Sequence, residues 1–231
     1  MAALALALAS CRDPDRVDAR DYDAFWLWAG VAPQPVLARA KTIYLLDGEV
    51  RAADGARYAS RRANPPRLGT KAVWLVVRTD TLRWPEESYA SVGRRLEAWR
   101  GAGNRLQGVQ LDFDARTRHL DEYAAFLAGF RKRLPRQYRL SITGLLDWSA
   151  HGDPRALERL RGTIDEVVIQ TYQGRETIPG YEAYFERMGG FAIPFRVGLV
   201  QGGRWREPPQ LRRNPAFRGY VVFLLQPRRR G

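Results

Sequence analysis

From Asp21 onward, short runs of apolar and β-branched residues alternate with amphipathic or loop-like stretches. The runs are DAFWLWAG (23–30), AKTIYLLD (40–47), KAVWLVVRTD (71–80), LQGVQLDFD (106–114), YRLSITGL (138–145), IDEVVIQTY (164–172), FRVGLV (195–200) and RGYVVFLLQ (218–226). Each is a nearly continuous apolar run, the pattern of a strand covered on both faces. Between them lie helix-like stretches. PEESYASVGRRLEAWRGAG (85–103) opens with acids, keeps Tyr89, Val92, Leu96 and Trp99 on one face and stops at glycine. LDEYAAFLAGFRKRLP (120–135) repeats the plan with Tyr123, Phe126, Leu127 and Phe130, and ends in bases and a proline. Weaker helices fit 153–162 and 180–190, and the segment 49–68, with Asn64-Pro65-Pro66, reads as a loop over the barrel mouth.

Eight strands alternating with helices predict an α/β fold, a single parallel (β/α)8 TIM-like barrel rather than an open sheet. The helices after strands one, two and seven are short or missing, so the barrel is small and trimmed. No linker divides it. The barrel domain is expected over 21–227, after a tether at 11–20 and before a basic tail at 228–231.

Residues 1–10 read MAALALALAS, a short apolar run, and Leu8-Ala9-Ser10-Cys11 matches a bacterial lipobox. Cys11 is the single cysteine of the chain, which excludes an internal disulfide or a Cys-based metal site. The expectation is a signal-peptide remnant, lipidation at Cys11 and a lipid-anchored place in the bacterial cell envelope, periplasmic or outer-membrane. No stretch reaches the roughly 18–20 apolar residues of a membrane span. The formal net charge of +13, carried largely by arginine, favours anionic partners such as acidic polysaccharide or anionic lipid. No nucleic-acid module or phosphate loop is visible. No cofactor is implied, and the chain is expected to act as a monomer.

Active sites of such barrels form at the C-terminal strand ends. Here these carry Trp28, Asp47, Arg78, Asp80, Gln110, Asp112, Asp114, Thr143, Asp147, Trp148, Gln170, Tyr172, Gln173, Gln201 and Gln226. Carboxylates, amides and rings together suit a carbohydrate. Rings stack on sugar faces, amides bond hydroxyls, and a carboxyl pair performs acid/base work. The fourth strand is the sharpest. In GVQLDFDA, period-two alternation puts Gln110, Asp112 and Asp114 on one face, inside the barrel. Two carboxylates there, with Cβ atoms roughly 6–7 Å apart, repel each other and drive one toward its protonated form, the state a general acid needs. The plainer reading has the acids cap the strand or pair with Arg78 or Arg116. A metal site from Asp112, Asp114 and His119 or His151 is a minor reading, and no metal is assigned.

The fourth-strand segment resembles the D-G-x-D-x-D-x-E motif of chitinase-type, family-eighteen glycoside hydrolases. Gln107, Gln110, Asp112 and Asp114 take its four acidic positions, two as amides and the last as an aspartate in place of glutamate. Ile169-Gln170-Thr171-Tyr172-Gln173 is similar to that family's M-x-Y-D, with Gln173 replacing the aspartate. From about Asp21 the chain more closely resembles a family of bacterial lipoproteins, domain of unknown function 3142, in GVQLDFDA, LSITGLxDW and DEVVxQxY. These resemblances imply a glycoside hydrolase-like barrel acting on envelope or extracellular polysaccharide. Asp114 would be its general acid/base and Asp112 a partner that tunes it, with Tyr172 positioning the substrate. Trp28 and Trp148 would stack on sugar, with Asp47, Arg78, Asp80, Gln110, Asp147, Gln170 and Gln173 as further binding groups. The alternative is a carbohydrate-binding lipoprotein of the same fold that has lost catalysis, which the amides at acidic positions favour.

Overall fold

The computed structural model describes residues 13–113, 120–146 and 154–226. Eight parallel strands close into a barrel. Around the ring they run β1 (Ala24–Leu27), β2 (Thr42–Val50), β4 (Ala72–Thr79), β5 (Arg105–Asp112), β6 (Arg139–Leu145), β7 (Glu166–Gln170), β10 (Phe195–Val200) and β11 (Phe217–Phe223), which returns to β1. β3 (Tyr58–Ser60) adds an antiparallel strand beside the end of β2, and β8 (Tyr172–Gln173) with β9 (Glu176–Thr177) makes a hairpin directly after β7. The α-helices among the described residues are α1 (Glu86–Gly101), α2 (Leu120–Arg133), α3 (Pro154–Arg161) and the short α4 (Glu182–Glu186). None is long and apolar enough to cross a membrane.

Alternation along the strands separates two apolar regions. Phe25, Leu45, Leu75, Leu111, Ile142, Ile169 and Leu199 point outward and meet Val92, Leu96 and Trp99 of α1 and Tyr123, Leu127 and Phe130 of α2. Residues of that size contribute about 1.5–3 kcal/mol each when fully buried, which offsets the ordering of two long helices. Trp26, Tyr44, Leu46, Trp74, Val76, Val168 and Val221 point inward and fill the barrel. The inner layer also holds charge. Glu166 accepts from Tyr44 at 2.6 Å and from Arg196 at 2.9 Å, so its buried carboxylate is paired as burial demands. Burial, then the Glu166 charge, raises the Tyr44 phenol well above its ordinary range and keeps it a donor.

Between β1 and β2, β2 and β4, and β10 and β11, the described connections carry no α-helix but only the 3-10 turns Pro35–Arg39, Ala52–Asp54 and Leu211–Arg213, with β3 in the second. The trimmed barrel expected from the sequence is what forms. Two expectations change. The segment 49–68 is not all loop: β2 runs on to Val50 because Asp47 bulges out between Leu46 and Gly48, which pair with consecutive residues of β4. Gly48 then leaves room for the Tyr58 ring, which a Cβ would meet at 2.2 Å. The expected tether is, from residue 13 on, part of the barrel. Val17 is buried and exchanges backbone bonds with Gly202 and Gly203, and Trp205 donates to Asp15.

A second bulge shapes β5. Leu106 and Gly108 pair with the consecutive residues Val73 and Trp74, so Gln107 is the extra residue. The bend presses Gly108 onto β6, where a Cβ would lie 1.9 Å from the Arg139 carbonyl oxygen. Gly108→Ala is therefore expected to cost at least about 3 kcal/mol, because backbone, not a movable side chain, is in the way. Gly101→Ala, at the end of α1 with nothing within 4 Å, should be neutral or gain up to about 1 kcal/mol. Urea unfolding midpoints compare the two, and equal midpoints would contradict the steric account.

Candidate functional site

At the C-terminal end of the barrel the strands surround a cleft of 810 Å³. Period-two alternation delivers its parts. Trp26 and Trp28 come from β1 and just beyond it, Arg78 from β4, Asp112 from β5, Leu145 from β6, Gln170 from β7 and Phe223 from β11. The hairpin after β7 adds Tyr172, Gln173 and Gly174, and Ile178 and Tyr184 complete that wall.

One half of the cleft is aromatic. Trp26, Trp28 and Phe223 meet edge to face, with centroids 5.7–6.2 Å apart. Tyr172 stacks on Phe223 at 5.5 Å. The Arg78 guanidinium lies 5.0 Å from the Trp28 ring centroid. Edge-to-face contact holds each ring in one orientation. The buried Trp26 Nε1–H has no partner among the described residues, a donor left at the floor of the cleft.

The other half is polar. Asp112 is buried and accepts from Thr143 Oγ1 at 2.9 Å, one strand across. One layer deeper, Gln110 donates to Ser141 Oγ at 3.0 Å, and its Oε1 has no partner among the described residues. Gln201 exchanges hydrogen bonds with Gln34, and Gln226 accepts from the Ala32 backbone at 2.8 Å. These amides fasten the rim segments after β1, β10 and β11.

The structure thus brings together Asp112, Tyr172, Trp28, Arg78, Gln170 and Gln173. It does not bring in three others. Gln110 is in the barrel but sealed beneath the cleft. Asp80 turns away to accept from the Ala52 backbone at 2.7 Å. Asp47, expected at the mouth, sits on the outside of the barrel wall because the bulge in β2 reverses its direction. There it is fully buried and takes four donors: Trp99 Nε1 at 2.8 Å, Arg95 Nε at 2.8 Å and Nη2 at 2.6 Å, and Tyr58 OH at 2.5 Å. Burial, then the Asp47 charge, raises the Tyr58 phenol above its ordinary value, and hydrogen bonding to Asp47 raises Arg95. Asp114, Asp147, Trp148, Cys11, His119 and His151 lie outside the described residues. Among the described residues no group of three or more His, Cys, Asp or Glu is placed to hold a metal ion.

Sequence reasoning missed Trp26, Phe223 and Tyr184. Trp26 was within reach, two residues before Trp28 and so on the same face. Phe223 follows Gly219 and Val221 on the inward side of β11. Tyr184 comes from α4, where strand periodicity gives no signal.

Residues 73–181 match the domain of unknown function DUF3142. The DUF3142 segment contains Arg78, Asp112, Gln170, Tyr172 and Gln173, whereas Trp26, Trp28 and Phe223 come from outside it. No curated protein sequence matches the chain. Among solved structures, the fold is similar to that of the Bacillus cereus spore cortex-lytic enzyme SleL, with TM-score 0.53, 18% identity, and coverage of 77% of this chain and 49% of that one. The chain therefore spans about half the length of SleL. The chitinase domain of the Clostridium difficile spore coat protein CotE gives TM-score 0.53 and 13% identity over 83% of this chain and 67% of that one. A tamarind chitinase-like lectin gives TM-score 0.53 and 10% identity over 87% and 94%. The chain shares the barrel fold of these structures.

The position of Asp47 has a direct test. Asp47→Ala leaves Arg95 buried against the barrel without its counter-charge and should cost about 3–5 kcal/mol. Affinity of the folded protein for a cleft ligand should be unchanged. A thermal melt paired with a binding isotherm checks both, and a variant that melts normally but binds less would return Asp47 to the site.

Proposed function

We propose that the cleft takes a polysaccharide of the bacterial envelope or surroundings, and that the protein acts on it as a glycoside hydrolase by carboxylate acid/base chemistry. The observation that carries this reading is the joining, in one cleft, of an oriented aromatic wall with a buried carboxylate at the end of β5. Aromatic faces bind the apolar faces of sugar rings, and a polar wall opposite bonds their hydroxyls. Trp28 and Tyr172 are the stacking faces, with Gln170 and Gln173 as hydroxyl partners. Asp112 is already held by Thr143, so it suits a fixed charge that orients substrate and tunes its neighbour. Asp114, two residues further along the chain, is the general acid that protonates the leaving oxygen. Tyr172 positions the group that is attacked.

Neighbours of the same fold include a spore cortex-lytic enzyme, a chitinase domain and a chitinase-like lectin. Binding without turnover is the second reading. It is favoured by Gln110, whose amide is spent on Ser141 where the resembling motif has an acid. The setting proposed for either is the cell envelope, with lipid on Cys11 holding the chain at a membrane. Cys11→Ser should then move the protein from the membrane fraction to the soluble one.

Tryptophan fluorescence titrations with soluble oligosaccharides, alongside release of reducing ends, test the reading. Trp28→Ala should weaken binding at least about tenfold, the scale of one lost stacking contact. Asp114→Asn should bind normally and lose cleavage by about 100-fold or more. Full cleavage by Asp114→Asn would remove the acid/base assignment, and unchanged binding by Trp28→Ala would remove the cleft.

A further inference from the structure

Beside the aromatic cleft, on the far side of the β8–β9 hairpin, lies a second cavity of 560 Å³. Arg16, Arg175 and Arg204 line it, against the single carboxylate of Glu176. Leu225 lines both cavities, and Gln173 and Gly174 of the first are followed directly by Arg175 and Glu176 of the second. The two are neighbouring compartments of one mouth.

The three arginines differ from most others nearby. Arg206 pairs with Asp15, Arg212 with Glu207 and Arg196 with Glu166. Arg16, Arg175 and Arg204 make no side-chain ion pair or hydrogen bond among the described residues. Arg16 and Arg204 also face each other across an antiparallel bridge. Like charges directly opposite are destabilising, and both residues line one cavity together with a third exposed arginine, Arg175. Such an arrangement is relieved by an anion, and guanidinium suits carboxylate, sulfate and phosphate oxygens through paired N–H donors.

Across the barrel the pattern is completed by Arg78. It stands on β4, three strands from β7 and four from β10 around the ring, and it too has no carboxylate partner among the described residues. A chain laid over the Trp28, Phe223 and Tyr172 rings runs from Arg78 on one side toward the arginine cavity on the other. We infer that the substrate is an anionic polysaccharide, and that Arg16, Arg175 and Arg204 form a subsite for an acidic substituent on the sugar next to those on the aromatic wall. This inference rests on the carbohydrate reading of the cleft and adds the class of sugar.

The experiment compares three probes on the full chain by calorimetry at low and physiological salt. They are a galacturonate hexamer bearing carboxylates, a sulfated hexasaccharide and neutral chitohexaose. The unmodified protein should bind at least one anionic probe about tenfold more tightly than the neutral one, with affinity falling as salt rises. The two anionic probes distinguish a carboxylate site from a sulfate or phosphate site. Arg16→Gln, Arg175→Gln and Arg204→Gln combined should remove that preference and leave neutral binding intact. A control removes equal charge at the opposite end of the barrel, with Arg105→Gln, Arg136→Gln and Arg213→Gln, and should keep the preference. Equal binding of charged and neutral probes, or equal loss in the control, overturns the subsite. If the neutral probe still binds through Trp28, the carbohydrate reading stands alone. If no probe binds, both fall.

Discussion

Ring closure is the constraint on which this structure turns. Seven strands are joined laterally by registers of four to eight pairs, but the ring closes through β1, only four residues long, with four register pairs to β2 and just two to β11. A parallel sheet left open there would expose a row of unpaired backbone groups on each edge and lose its interior. Closure also makes the site. It sets Trp26 of β1 opposite Phe223 of β11 in register, and so builds the aromatic wall from the first and last strands of the barrel.

Polar groups inside the ring are divided by depth. At the lower level Glu166, Tyr44 and Arg196 satisfy one another, away from the cleft. The middle level is mostly apolar, broken by Gln110 and Ser141. Only at the top do Arg78, Asp112 and Gln170 reach the cleft. A charge at the lower level is a matter of stability, whereas the same charge four residues further along its strand, as Gln170 follows Glu166, faces the cleft. Asp47 is a third case, since the bulge takes it through the wall and makes it the anchor of α1 and β3.

The strand count, the trimmed helices and the inward face of β5 were legible because they depend on period and length alone. The bulges were not. One extra residue at Asp47 or Gln107 leaves no compositional mark, yet it reverses which side of the sheet the residue takes, and that is why Asp47 was misplaced. Asp80 was misplaced for another reason, because a loop backbone donor competes for its carboxylate. The aromatic wall was half legible. Trp28 stands at a strand end, but its contact with Phe223 joins residues almost the whole chain apart, a pairing that only closure defines.

Closure also separates the segment that matches DUF3142 from the unit that folds. The segment recognisable as DUF3142 holds β5, β6, β7 and nearly all of β4, which is half of the ring. Taken alone it would be an open sheet with both edges bare and its inner aromatic partners missing. The ring is finished by β1, β2, β10 and β11, which lie outside it. The aromatic wall of the cleft, Trp26, Trp28 and Phe223, therefore stands on or just past strands that the matched segment does not contain.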